Sequence, residues 1–75
     1  MTRKKLFAVV LGGRAPKANT ELHDVVFVAG ETIESTYDKL AQKWFGSLDG
    51  LHLDCWMEIT AADGYRIVLS PTALP

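Results

Sequence analysis

One amphipathic segment, residues 33–45, lies among strand-like segments and limits what the chain can fold into. Thr32, just before it, stands where a helix N-cap is expected. The pattern predicts a helix over about 33–45, and because it is the only such segment, it can cover only one face of a sheet. The apolar residues that share its helical stripe are Ile33, Tyr37, Leu40, Ala41, Trp44 and Phe45.

Four other segments have the composition of β-strands. Residues 6–11 are a continuous apolar run that ends at two glycines, and residues 21–29 contain a Val/Phe-rich run that ends at a third. Residues 51–59 alternate between apolar and polar side chains, and residues 65–69 follow an Asp-Gly turn. The last two segments are therefore predicted to form a hairpin.

The alternation in residues 51–59 predicts which side chains meet the helix. The free thiol of Cys55 is then buried under the helix, whereas the indole of Trp56 projects from the helix-free face, where an aromatic ring is typical of an interface. The side chains predicted to face the helix are Leu51, Leu53, Cys55, Met57 and Ile59. Those predicted to face away from it are His52, Asp54, Trp56 and Glu58.

The order of the elements predicts an α+β domain with a mainly antiparallel four-stranded sheet and one helix packed on one face, in the order β-β-α-β-β. We expect a single domain over 1–75, with an ordered core over about 4–70 and a short tail over 71–75. A chain of 75 residues buries only about 60% of the surface that its unfolded form exposes. Self-association is therefore expected, as a homodimer with Trp56 and Glu58 in the interface.

Composition excludes several classes. With 48% hydrophobic residues the chain is not a disordered tail, and one cysteine cannot support a disulfide scaffold. A net charge of -1 favours neither nucleic acid nor an anionic membrane as a partner. The apolar run at 6–11 is shorter than a signal peptide requires, and no run approaches the roughly 18 residues of a membrane span. The unpaired thiol suits a reducing compartment, so we expect a cytoplasmic protein.

Two histidines and nearby acids are the first candidate site. His52 and Asp54 share one face of their strand, and only one of His23 and Asp24 can join them, because these two project from opposite faces. His23, His52 and Asp54 provide a metal-binding trio if their strands are neighbours in a suitable register. The alternative is that these residues only hydrogen-bond to one another on a solvated face or at a dimer seam. No metal or other cofactor is assigned from the sequence.

The segment Gly12-Gly13-Arg14 is the second candidate site. Two glycines after a strand can turn backbone N–H groups toward a small anion, and Arg14 adds positive charge. The segment matches neither the P-loop nor the dinucleotide-binding motif, and an exposed basic loop is the favoured explanation.

Four stretches of the chain form a specific combination: Leu6 to Arg14, Glu21 to Phe27, Trp44 to Gly46, and Leu51 to Asp54. Together they resemble a bacterial domain-of-unknown-function family, number 1543. The resemblance extends from about residue 6 to residue 69 and implies neither an activity nor catalytic residues. The family occurs as one or two copies of the domain in small proteins, and for a single copy a homodimer is the equivalent arrangement.

The sequence thus favours a non-enzymatic, homodimerising interaction module that uses its helix-free sheet face. The alternative is a domain, or a small enzyme, that binds a small anionic ligand or a metal through the Gly-Gly-Arg segment and the His/Asp residues. Whether these two groups of residues meet in space discriminates between the two hypotheses.

Overall fold

The computed structural model describes residues 3–71 and is mostly β-structure with one short α-helix. The predicted tail at 71–75 lies outside the described residues from residue 72 onward. The strands are β1 (Lys5–Arg14), β2 (Leu22–Gly30), β3 (Ser47–Glu58), β4 (Ala61–Ala62) and β5 (Tyr65–Arg66). A 3-10 turn (Glu34–Thr36) leads directly into α1 (Tyr37–Lys43).

The main sheet has three antiparallel strands in the order β2-β1-β3, so the predicted four-stranded sheet is wrong. β4 and β5 pair only with each other. The reason is the tightness of the turn, in which Asp63 and Gly64 both have positive φ angles, of 54° and 85°. A two-residue turn of this type pairs the residues that directly flank it. The last segment is therefore tied to the chain at 60–62 instead of to β3.

The helix is shorter than the predicted 33–45. Thr32 and Ser35 exchange backbone-to-side-chain hydrogen bonds of 3.2 Å at the 3-10 turn that precedes it. The residue before α1 is Thr36, which makes no side-chain capping bond, so the predicted N-cap at Thr32 is wrong. At its end, Trp44 already has extended backbone with ψ of 130°. Trp44 is buried, but Phe45, which was predicted to share the helical stripe, is 60% exposed because it lies beyond the end of the helix.

The core lies between α1 and one face of the sheet. Alternate residues of the central strand β1 project into it, and Val9 is completely buried. The helix and the turn that leads into it cover this face of the sheet. The described residues leave the opposite face of the sheet uncovered. The buried core residues are Phe7, Val9, Leu11, Val28, Ile33, Leu40 and Trp44.

A β-bulge at Asp54 changes which side chains of β3 face the core. Cys55 pairs with Val10, yet Leu53 already pairs with Leu11, so Asp54 is an extra residue without a partner on β1. One extra residue reverses the facing of every side chain beyond it.

Trp56 and Glu58 therefore lie on the helix side of the sheet, opposite Val9 and Phe7, and the prediction that they project from the helix-free face is wrong. The Trp56 ring packs edge-to-face on Phe7, with centroids 5.5 Å apart. Cys55 is exposed on the helix-free face, so its predicted burial under the helix is also wrong.

Over residues 3–71, no helix is long and apolar enough to cross a membrane.

Candidate functional site

Two histidines flank a glycine on the helix-free face of the sheet. Gly12 pairs with His23 on one side and with His52 on the other. The metal-binding trio His23, His52 and Asp54 was predicted on the condition that β2 and β3 are neighbours. They are not neighbours, but Gly12 has no side chain, so the two rings approach each other across β1. A Cβ at Gly12 would lie 2.7 Å from His52 Nε2 and 3.2 Å from His23 Cδ2.

Two carboxylates complete the group, which we call the His–carboxylate cluster (Glu21, His23, His52 and Asp54). Asp54 reaches both rings, with Oδ1 3.0 Å from His52 Nε2 and Oδ2 3.0 Å from His23 Nε2. Glu21 does the same, with Oε2 3.0 Å from His23 Nε2 and Oε1 3.6 Å from His52 Nε2. Each carboxylate therefore faces both imidazoles.

The cluster is accessible to solvent, with side-chain exposures from 33% at Asp54 to 53% at His23. The Nδ1–H of His52 donates to the carbonyl oxygen of Gly50, 3.0 Å away. This hydrogen bond, followed by the charges of Asp54 and Glu21, raises the pKa of His52 above its ordinary value of 6.5. The hydrogen bond at Nδ1 thus fixes the orientation of the ring, and its Nε2 faces the carboxylates.

Glu21 is the member of the cluster that the sequence-based trio missed. Ligand atoms of Glu21, His52 and Asp54 all lie within 4.8 Å of one another. The available signal was the spacing Glu21-x-His23, because residues two apart on an extended chain project to the same side. Asp24 projects to the other side, opposite Leu11, as its alternation with His23 predicted.

Gly13 and Arg14 do not join the cluster through the loop that the sequence suggested. Both belong to β1, which continues through the glycines instead of ending before them. Gly13 lies against the indole of Trp44, where a Cβ would be 2.9 Å from Cζ2. Arg14 is exposed at the end of the strand, opposite Ser47. The carboxylate of Asp54 lies over Gly12 beside the two imidazoles, and a carboxylate repels a small anion.

Next to the cluster, the helix-free face carries two apolar rows that cross all three strands. Val10 lies between Val25 and Cys55, and Ala8 lies between Phe27 and Met57. We call these six residues the apolar rows. Their larger side chains are well exposed, with 59% for Val25, 57% for Phe27 and 61% for Met57.

A cleft of about 750 Å³ lies at the other end of β1. Its lining includes Arg3, Lys4, Lys5 and Arg66, and none of its lining residues belongs to the His–carboxylate cluster. The cluster is therefore a surface site on the sheet and is not part of this cleft.

Comparison with known proteins identifies the family. Residues 18–69 match the profile of domain-of-unknown-function family 1543. The chain belongs to this family. This confirms the resemblance, although the match begins after the Gly-Gly-Arg segment. A comparison with curated proteins finds no match.

A solved structure, protein Il1583 from Idiomarina loihiensis, has the same fold. It is 51% identical to this chain, with a TM-score of 0.83 over 84% of this chain. The match covers only 43% of the Idiomarina protein, so this chain spans less than half of that protein's length.

Proposed function

We propose that the domain is a homodimerising interaction module whose helix-free sheet face packs on the same face of a second copy. The observation that carries the proposal is the pair of apolar rows, which extend across the whole width of the sheet and hold three side chains that are more than half exposed. Contiguous apolar surface of this kind is typical of association sites.

Charge favours a second copy as the occupant. The apolar rows contain no ionisable side chain except the Cys55 thiol, so two identical faces can meet without like charges in contact. In a two-fold arrangement with the strands antiparallel across the interface, the two His–carboxylate clusters lie at opposite ends and stay apart. The longer Idiomarina protein supports the same arrangement, since more than half of that chain lies outside the match and leaves room for a second domain.

The interface proposed here differs from the one that sequence parity suggested. Phe27, Met57 and Val25 take the place of Trp56 and Glu58, which lie on the helix side. We also infer a reducing, cytoplasmic location, because the exposed Cys55 thiol of an interaction face would oxidise elsewhere.

The test is the molar mass in solution of the Phe27→Glu variant, measured by light scattering after size exclusion. Phe27 lies in the middle of β2 and is 57% exposed, so a carboxylate there is solvated in a monomer but desolvated between two sheets. The matched control is Phe45→Glu, which makes the same chemical change at a side chain of 60% exposure outside the sheet.

The expected result is a dimer for the parent chain and for Phe45→Glu, and a monomer for Phe27→Glu. A parent chain that stays monomeric throughout a concentration series overturns the proposal, as does a Phe27→Glu variant that keeps the dimer mass. Circular dichroism checks folding, and Met57→Glu on the opposite edge replaces Phe27→Glu if the latter does not fold.

A further inference from the structure

We infer that the His–carboxylate cluster is a binding site for a divalent transition-metal ion of the zinc type. The inference is independent of dimerisation, because it uses a different row of the sheet. The sequence alone assigned no metal, since it could not show that side chains from β2, β3 and the residue before β2 converge over Gly12.

Donor spacing is the first support. Zinc bonds to imidazole nitrogen and carboxylate oxygen at about 2.0–2.2 Å, so two donors of a tetrahedral site lie about 3.3–3.5 Å apart. The four nitrogen–oxygen distances in the cluster are 3.0, 3.0, 3.0 and 3.6 Å. Shifts of well under 1 Å in exposed side chains bring these four nitrogen–oxygen pairs to the spacing that an ion requires.

The hydrogen bond from His52 to the backbone is the second support. Metal-binding histidines typically donate the other ring N–H to a carbonyl or carboxylate, which fixes the ring and directs the remaining nitrogen at the metal. The Nδ1–H of His52 donates to Gly50, and Gly50 has a φ of 81°, a backbone conformation that favours glycine. The chain is therefore shaped at this point to present the Nε2 of His52 to Asp54 and Glu21.

Charge and space are the third support. Two carboxylates and two neutral imidazoles carry a net charge of -2, which a divalent cation neutralises. Gly12 leaves the volume between the rings free, because any larger residue there would contact His52 Nε2, Asp54 Oδ2 and His23 Cδ2. A strand glycine is unfavourable by roughly 0.5–1 kcal/mol, so the close approach of the rings over it has a thermodynamic cost.

The donor set also indicates the class of metal. Two nitrogen and two oxygen donors suit Zn²⁺, Co²⁺, Ni²⁺ or Cu²⁺, whereas Mg²⁺ and Ca²⁺ prefer oxygen donors alone. Ligand atoms of Glu21, His52 and Asp54 all lie within 4.8 Å of one another, and His23 Nε2 lies 3.0 Å from both carboxylates. His23 either binds the ion or orients the two carboxylates that do.

The test is calorimetric titration of the untagged, chelator-treated chain with Zn²⁺, followed by the visible spectrum with Co²⁺. We expect one ion per chain, no detectable Mg²⁺ binding, and the intense Co²⁺ absorption of a low-coordinate site. His52→Ala should lower the Zn²⁺ affinity by more than about 100-fold, since even loss of an outer partner costs about 10–100-fold.

Asp24→Asn is the matched control for Asp54→Asn. Both variants remove one negative charge from the sheet, but Asp24 lies on the opposite face, paired with Leu11. We expect Asp54→Asn to weaken Zn²⁺ binding strongly and Asp24→Asn to change it less than twofold. Cys55→Ser tests the exposed neighbouring thiol as an alternative ligand.

Three outcomes overturn the inference: no Zn²⁺ binding to the parent chain, equal losses in Asp54→Asn and Asp24→Asn, or a loss in Cys55→Ser that His52→Ala does not reproduce. The cluster would then be only a group of ion pairs on a solvated face. Circular dichroism of each variant separates loss of the site from loss of the fold, and His52→Gln replaces His52→Ala if that chain unfolds.

Discussion

Substituting Gly12 by alanine separates the stability of the sheet from the geometry of the His–carboxylate cluster. The added Cβ would lie 2.7 Å from His52 Nε2 and 2.8 Å from Asp54 Oδ2. Ordinary contact begins near 3.4 Å. Both atoms must therefore move by more than half an ångström, and the rings can no longer approach each other over the strand.

The free energy of unfolding should change little, because the displaced atoms are the ends of exposed side chains. Ion pairs between solvent-exposed side chains contribute little to stability, because both charges stay solvated and screened. Replacing glycine by alanine in a strand recovers roughly 0.5–1 kcal/mol. These terms oppose each other, so we expect a net change within about 1 kcal/mol, together with loss of Zn²⁺ binding.

Gly46→Ala is the informative comparison. Its Cβ would collide with the carbonyl oxygen of Arg14 and lie 2.8 Å from Trp44 Nε1, which donates a hydrogen bond to Ser47. A backbone atom cannot move aside as a side-chain end does, so the chain must shift locally. Overpacking of this kind costs about 1–3 kcal/mol.

Urea unfolding followed by tryptophan fluorescence measures both variants on the same scale. The reasoning is refuted if Gly12→Ala is destabilised as much as Gly46→Ala, because the contacts at Gly12 would then be structural. It is refuted equally if Gly12→Ala is stable and binds Zn²⁺ as the parent chain does.

Three further predictions address the bulge and the cluster. In the monomeric Phe27→Glu variant, whose helix-free face has no second copy on it, Cys55 should react with a thiol reagent at nearly the rate of the unfolded chain. The protection expected for a thiol buried under the helix would contradict the observed facing of β3. Trp56→Ala should lower the free energy of unfolding by about 2 kcal/mol, because the half-exposed indole packs edge-to-face on Phe7. A change below about 0.5 kcal/mol in urea unfolding would show that the ring does not pack on the core. NMR titration should give His52 a pKa above 6.5, owing first to the hydrogen bond with the Gly50 carbonyl. The stabilising effect of protonated His52 is then complete below pH 6.5 and is lost as the pH rises through the folded-state pKa. An ordinary or lowered pKa would contradict the geometry.

Much of the fold follows from local patterns in the sequence. Continuous apolar runs correctly indicated β1 and β2, with β2 within one residue at each end, and the Asp63-Gly64 pair correctly indicated a tight turn. Helical spacing located the one helix but overestimated its length. Spacing does not report that Trp44 turns its backbone to an extended conformation as its indole enters the core.

The candidate site was only partly predictable. Its members were recognisable as residue types, and strand parity separated His23 from Asp24 correctly. The sequence could not show that β1 lies between the two histidine-bearing strands or that Gly12 pairs with both histidines. The register between two strands depends on how they pair in the folded sheet.

By itself, the sequence determined which segments are extended, which one is helical and which residue types carry chemistry, because these depend on local backbone preference and on side-chain periodicity. The tertiary structure decided which way the end of β3 faces. The unpaired residue Asp54 reverses Cys55 and Trp56 relative to strict alternation. A bulge forms where the pairing with β1 and the packing of the core require it, and those are interactions between distant parts of the chain.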